Sequence, residues 1–542
     1  MANRRRETGR RILRGIGCAA LALVIASQGI AAEREFVYRT VAGDTLIGIA
    51  ARFLTDPGDW KLLQDRNKVA NPRAIPVGTA IRMPVARMRA EPRPMEVEVV
   101  RGAASGEAGP LAPGARLSEG DSLRTGDDGF VTLKLADGSR VTVPSASRVQ
   151  VERSRAYGNA SIGETVLRLL GGRIDTAARS QGRSDVFEIR SRQAITAVRG
   201  TQFRVAALDG DAVATEVIEG RVGVSAEAAP AGLDVPGGFG TKVEEGRAPL
   251  PPVKLLPAPE VTRMPALVER TLVRLPFEAV KGAAGYRAQI GQDGAFRAIV
   301  AETRVESPEA KFAGLADGDY FVRVRAIDSL GLEGLDAVRP FKLKARPEPP
   351  FIAGPADRAK TDAAGAKLAW SRSTQADAYR LQVSSRADFS AIALEEGALP
   401  ATEATLGSRL GKGTWHWRVA SIRNPGDQGP WSDPRSFTIV PDPPAPKAGK
   451  AAGGGLAFEW SGEPGQRYQF QLAADSAFRT LVTERTLDEP RIALPEPGVG
   501  EYFFRVRAVD ADGFQGPFSA AQRVDIYPSP WWLLLLLVFP FL

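Results

Sequence analysis

Cysteine and histidine are nearly missing from this chain. Its 542 residues hold one of each, Cys18 and His416. A single thiol forms no intrachain disulfide and no cysteine-rich zinc site, and a single imidazole cannot furnish a multi-histidine metal centre. A Ser-His-Asp triad would have to use His416. That residue lies between Trp415 and Trp417 in an alternating strand pattern, which makes it a strand position rather than a general base. HExxH, GxSxG and Walker-type loops are absent. The Gly-rich stretch Val235-Pro236-Gly237-Gly238-Phe239-Gly240 has no helix pattern behind it, so it reads as a flexible loop and not a phosphate cradle. Asp127-Asp128 sits in a Gly-flanked turn and reads as solvated. The sequence thus predicts no enzyme, no cofactor and no metal.

Long apolar runs are also scarce. Ile16–Ala26 covers 11 residues and Trp531–Leu542 covers 12, and a helix of twelve residues reaches only ~18 Å against a hydrocarbon core of ~30 Å. Neither spans a bilayer. The first run follows Arg4, Arg5, Arg6, Arg10, Arg11 and Arg14 and precedes small residues ending at Ala32, the order of a secretory signal. Residues 1–32 are read as a signal peptide, cleaved after Ala32, which also removes Cys18. Those residues carry six Arg and one Glu, so the formal net charge of +8 falls to +3. With no basic stripe interleaved with aromatics, nucleic acid is not expected as a partner. The second run, in the tail 528–542, opens with Trp531-Trp532, as interfacial anchors do, and is expected to contact a membrane without crossing it.

Between these ends, 56 Gly and 40 Pro punctuate many short alternating stretches, and the length suggests roughly three to five domains. The expected fold is mainly β and multidomain. The first module, 33–85, is different. Phe36–Val41 alternates as a strand, and Leu46, Ile49, Ala50 and Phe53 form one helical face. A second short helix fits Trp60–Arg66, and Ala80–Met83 reads as a last strand, giving βααβ. Tyr38, Gly43-Asp44-Thr45-Leu46, Phe53, Trp60, Leu63, Asn67, Asn71-Pro72, Ile75-Pro76-Val77-Gly78 and Ile81-Arg82-Met83-Pro84 together resemble the LysM family. The resemblance implies binding of N-acetylglucosamine-containing glycans, chiefly peptidoglycan or chitin, in a shallow groove between two loops. Carried over, the candidate glycan-binding residues are Gly43, Asp44, Thr45, Leu46, Ile47, Ile75, Pro76, Val77 and Gly78, with Ile47 and Ile75 supplying apolar contact.

Residues 86–94 contain Pro and Arg and read as a linker. The region 95–228 alternates in short runs, with Asp137-Gly138 marking a hairpin. Glu164–Leu170 is the one stretch where a helix competes. Gly120–Gly126, Leu135–Ser139, Gly171–Ile174, Ala197-Val198-Arg199-Gly200-Thr201-Gln202-Phe203 and Glu219–Val222 resemble the FecR domain, which implies an all-β, ladder-like envelope fold. The Arg199-Gly200-Thr201 string is expected to be a turn the fold requires. Residues 229–262, rich in Pro, Gly and Ala, read as a linker.

An internal repeat follows at 263–345, 346–440 and 441–527. Tyr286-Arg287-Ala288-Gln289-Ile290 recurs as Tyr379–Val383 and Tyr468–Leu472, each followed by a Phe: Phe296, Phe389 and Phe478. Gly318–Ala326 recurs at Gly413–Val419 and Gly500–Ala508. With Phe277, Trp370 and Trp460 as early core aromatics, the three copies resemble fibronectin type III domains, which implies three β-sandwich repeats. Their Arg-x-Arg alternation is expected to put charge on an outer face and Val and aromatics inside.

These parts suggest a non-catalytic, exported, periplasmic or envelope-associated scaffold or adaptor that holds peptidoglycan and presents β modules to an envelope protein. Alternatives are a FecR-type envelope signal-sensing regulator and an accessory part of a cell-wall hydrolase.

Overall fold

A computed structural model describes residues 34–527, apart from 158–161, 178–184, 199, 228, 363–365, 441–442, 444 and 453. The expected signal peptide with Cys18, the expected membrane-contacting tail and Arg199 lie outside the described residues. Among the described residues no helix is long and apolar enough to cross a membrane.

The first module is βααβ as expected: β1 (Glu35–Arg39), α1 (Leu46–Phe53), α2 (Trp60–Asn67) and β2 (Ala80–Pro84), with β1 and β2 antiparallel. The helical spacing of Leu46, Ile49, Ala50 and Phe53 buries all four against Leu63, Ile81 and Met83. Asn67 locks the module from below. Its amide donates to the Leu63 and Arg82 carbonyls at 2.9 Å, and its carbonyl accepts from the Arg82 amide at 2.7 Å.

The second domain is all β, with a core between a nine-stranded and a ten-stranded sheet. The Asp137-Gly138 hairpin forms between Phe130–Lys134 and Arg140–Val143, and Gly138 takes φ +83° at the turn. Three expectations are corrected here. Glu164–Leu170 is not helical but part of the strand Ile162–Gly171, where Leu167 and Leu169 fill the core. The 86–94 linker is partly structured, because Ala90–Pro92 pairs with Arg155–Tyr157. The 229–262 linker mostly belongs to this domain. Ala229–Pro236 and Phe239–Glu244 add a strand to each sheet, and Val253–Lys254 pairs with the second of them. The expected flexible Gly-rich loop is thus a tight turn at Gly237-Gly238 between two strands.

The three repeats are β-sandwiches. In each, the early aromatic meets the repeated Tyr edge to face: Phe277–Tyr286 at 4.8 Å, Trp370–Tyr379 at 5.7 Å and Trp460–Tyr468 at 5.6 Å between ring centroids. The repeated Gln and Arg are also explained. Gln289, Gln382 and Gln471 accept hydrogen bonds from Arg323, Arg418 and Arg505 on the neighbouring strand. Each guanidinium lies over the repeated Phe at 4.2, 4.0 and 3.9 Å from Phe296, Phe389 and Phe478. His416 occupies a strand position opposite Ser384 and Ser436. In copy 1 the expected outward Arg-x-Arg face is not exposed, because it packs against the second domain.

Candidate functional site

The loop before α1 is built by side chains that satisfy backbone donors. Gly43 turns the chain at φ +86°. Thr45 caps α1, its hydroxyl accepting from the Gly48 amide at 3.0 Å. Asp44 accepts from the Val41 amide at 2.7 Å and from the Tyr38 hydroxyl at 2.8 Å, so one of its carboxylate oxygens holds the turn together. The Arg52 guanidinium lies over Tyr38 at 4.7 Å and 3.9 Å from that carboxylate.

The second loop is clasped to the first. The Leu46 amide donates to the Pro72 carbonyl at 2.8 Å, and the Gly78 amide donates to the Thr40 carbonyl at 2.8 Å. Thr40 donates through its hydroxyl to the Pro76 carbonyl at 2.7 Å and accepts from the Thr79 amide at 2.9 Å. Thr40 is buried. It is a residue that sequence reasoning missed, and its only signal was a hydroxyl at the end of a β run.

The candidate glycan residues divide. Leu46 is 0% exposed and Ile75 8%, so both serve the core, and the expected apolar contact from Ile75 is not available. Ile47 is 44% and Val77 69% exposed. Gly43, Pro76 and Gly78 are also exposed. Val41, not singled out from the sequence, is exposed beside them. The clasped loops therefore present an apolar lip of Val41, Ile47 and Val77 flanked by exposed turn backbone.

These loops lie at the N-terminal end of α1, and the other end is docked. Leu54 bridges Met88, the Arg89 amide donates to the Phe53 carbonyl, and Tyr157 and Ile162 of the second domain join the core of the first module. The Tyr157 hydroxyl donates to Glu164 at 2.6 Å, and Arg34 and Arg153 pair with the same carboxylate at 3.2 and 3.1 Å. Burial opposes the Glu164 charge, yet Tyr157 and the two arginines hold its carboxyl below the usual range. About 12 Å of helix, just over two turns, thus separates a fixed end from an open one.

In the second domain, Gly200 has φ +62° and Thr201 is buried. A Cβ on Gly220 would stand 2.4 Å from the Thr201 Cγ2. These two turns interlock, which fits a packing role for the Gly200-Thr201 string. Among the described residues there is no cluster of three or more His, Cys, Asp or Glu arranged to hold a metal.

Comparison with known proteins agrees with this division. Residues 38–84 match the family described as LysM domain, and residues 121–223 match the family described as FecR protein. An uncharacterized protein of Treponema pallidum (strain Nichols) is 29% identical over 160 residues, covering 26% of this chain and 23% of that protein. The chain therefore spans less than a quarter of that relative's length. A candidate anti-sigma factor from Parabacteroides distasonis ATCC 8503 is similar over 24% of this chain and 59% of its own, at 16% identity and a TM-score of 0.21. The chicken CNTN1 FN1-FN3 domains are similar over 50% of this chain and 99% of their own, at 14% identity and a TM-score of 0.20. The chain carries a LysM domain at residues 38–84, then a FecR domain at residues 121–223, then three β-sandwiches.

Proposed function

We propose that this protein is a non-catalytic, peptidoglycan-binding scaffold or adaptor of the cell envelope. The observation that carries the reading is the open, clasped pair of loops at one end of α1, with Val41, Ile47 and Val77 exposed while the opposite end is fixed to the FecR domain. Exposed turn backbone supplies hydrogen-bonding groups for N-acetyl and hydroxyl substituents, and the aliphatic lip supplies flat contact. Gly43, Asp44, Thr45, Ile47, Pro76, Val77 and Gly78 form this surface, with Leu46 and Ile75 as its support. One small groove grips weakly, so retention gains from several molecules or from a second anchor, a role the tail 528–542 would fill at the membrane. The sandwiches then present surfaces to an envelope protein. Export by the segment 1–32 would place the protein in the periplasm or on the envelope.

The test is incubation of the full exported chain with insoluble peptidoglycan, followed by analysis of pellet and supernatant. The protein is expected in the pellet, with no muropeptides released. Release of fragments would point to hydrolysis, and protein wholly in the supernatant would reject glycan binding. The FecR match at 121–223 favours, as the second reading, an envelope signal-sensing regulator. In that case deletion of the gene would alter transcription of a defined set of envelope genes.

A further inference from the structure

The FecR domain and the first sandwich meet across a layer of buried charge. The FecR side contributes Arg173 and Asp175 on one strand, Arg204 on the next and Glu216 on the third. Copy 1 contributes Arg287, Glu302, Arg323, Arg325, Glu333 and Asp336. Across the junction, Arg173 pairs with Glu333 at 2.5 Å, Arg204 with Asp336 at 3.1 Å and Arg325 with Asp175 at 3.1 Å. Arg204 also donates to the Gly334 carbonyl at 2.7 Å, and Glu216 accepts from the Glu333 amide at 3.1 Å. Within copy 1, Glu333 pairs with Arg287 and Arg325, and Asp336 with Arg325. The layer has five arginines and five carboxylates, so it is neutral, and each side is neutral by itself. Arg204 is 2% and Glu333 0% exposed.

Comparison of the three copies shows where this layer comes from. From Gly318 to Ala337 they align without a gap. Arg323 corresponds to Arg418 and Arg505, and Glu333 to Gln428 and Gln515. Asp336 corresponds to Trp431 and Phe518. In copies 2 and 3 that aromatic ring covers the guanidinium, Trp431 at 4.6 Å from Arg418 and Phe518 at 4.0 Å from Arg505. Copy 1 replaces the ring with a carboxylate and the neutral Gln with a second one. Those two residues receive the FecR arginines.

We propose that the first sandwich is a dedicated partner of the FecR domain: Glu333 and Asp336 key it to the face formed by Arg173, Asp175, Arg204 and Glu216, so the two domains act as one rigid body and that face is closed to other proteins. Buried ion pairs add little net stability but impose a strong penalty on a mismatched partner, because an arginine left buried without its carboxylate is uncompensated. Neutral copies carrying Gln and an aromatic cannot occupy the same seat. Apolar contacts flank the charges: Leu332 with Leu255, Ala206 and Ala214 at one side, and Phe296 and Ile299 with Phe130 at the other. These contacts shield the layer on two sides, and a cavity lined by Asp175, Arg204, Arg323, Arg325 and Asp336 reaches it between them. The arginines hold Glu333 and Asp336 well below the ordinary carboxylate range, and Asp175 below it, in spite of burial.

Arginine-selective labelling of the full chain with phenylglyoxal, read by mass spectrometry, tests this. In the native chain Arg173 and Arg204 should label far more slowly than the exposed Arg221. In Glu333→Gln/Asp336→Phe, which gives copy 1 the residues of copy 3, both should label at least about tenfold faster. The near-isosteric Glu333→Gln/Asp336→Asn should behave the same way and guards against misfolding from the added ring. Circular dichroism confirms that each variant is folded. Native-like protection of Arg204 in either folded variant, or rapid labelling of Arg204 in the native chain, would overturn the proposal.

Discussion

Leu46 and Ile47 are neighbours in the candidate loop but face opposite environments, and replacing each by Ala separates support from contact. Leu46 is fully buried among Ile49, Phe53, Leu63 and Ile81. Leu→Ala at such a site costs about 2–5 kcal/mol, from lost transfer energy plus the cavity left behind. A module of about fifty residues has a stability on the order of 2.5–7.5 kcal/mol, so Leu46→Ala should leave α1 frayed or unfolded. Ile47 is 44% exposed, and its removal should change stability by about 0.5 kcal/mol or less. Full burial of an Ile side chain is worth roughly 1.5–3 kcal/mol, so covering the exposed half with a sugar contributes about 1 kcal/mol, near fivefold in affinity. The assay is co-sedimentation of the full chain with peptidoglycan, run beside hydrogen exchange of the α1 amides. Ile47→Ala should keep native exchange and bind about fivefold more weakly. Leu46→Ala should lose both protection and binding. Native binding by Ile47→Ala, or a folded Leu46→Ala with a specific loss of binding, would refute the assignment of these two side chains.

Further perturbations address the rest of the chain. Tyr157→Phe removes the hydroxyl donor to Glu164 at the seam between the LysM and FecR domains and should lower stability by about 1.5–3 kcal/mol, measured by chemical denaturation. Gly220→Ala should cost more than about 1 kcal/mol, since its φ of +87° is strained for Ala and its Cβ would strike Thr201; thermal unfolding reads this. The junction of the FecR domain with copy 1 should be acid-sensitive. Asp175, Glu333 and Asp336 have depressed folded values, so their contribution is present above the ordinary carboxylate range and is lost as pH falls below about 4. Burial raises Glu216, which acts in the opposite sense, its contribution fading as pH rises through its folded value. Phenylglyoxal is unsuited to low pH, so hydrogen–deuterium exchange of residues 328–336 between pH 6 and pH 3 is the measurement, with faster intrinsic-corrected exchange expected at the acid end.

Much of the fold was legible because local chemistry and global packing agree. Asp137-Gly138 demanded a tight hairpin, the spacing of Leu46 to Phe53 demanded one buried helical face, and the recurring Tyr with its early aromatic marked the core of each sandwich. The misreadings have physical causes. Pro230 and Pro236 suggested a linker, but Ala229–Pro236 is an edge strand, where a missing amide donor is tolerated. Glu164–Leu170 carries apolar residues at a spacing compatible with either period, and only pairing with Arg148–Tyr157 on one side and Val186–Arg190 on the other decides for a strand. The site was legible as a pair of loops but not side chain by side chain. Helical spacing puts Leu46 inside and leaves Ile47 off that face, but nothing in the local pattern distinguishes the buried Ile75 from the exposed Val77, because the loop geometry that orients them is set by the Thr40 clasp. Arg325 was expected on an outer face, and it does leave its own sandwich core. The face is buried by a different domain, and the signal lay in the departure of Glu333 and Asp336 from the Gln and aromatic residues of the other copies.

Glycan binding by the two clasped loops is tested most directly by hydrogen–deuterium exchange of the full chain with and without a soluble N-acetylglucosamine oligosaccharide. Slowed exchange is expected only in the two clasped loops, residues 41–48 and 73–79, with the FecR domain and the sandwiches unchanged. No protection at saturating oligosaccharide, or protection located away from these loops, would contradict it.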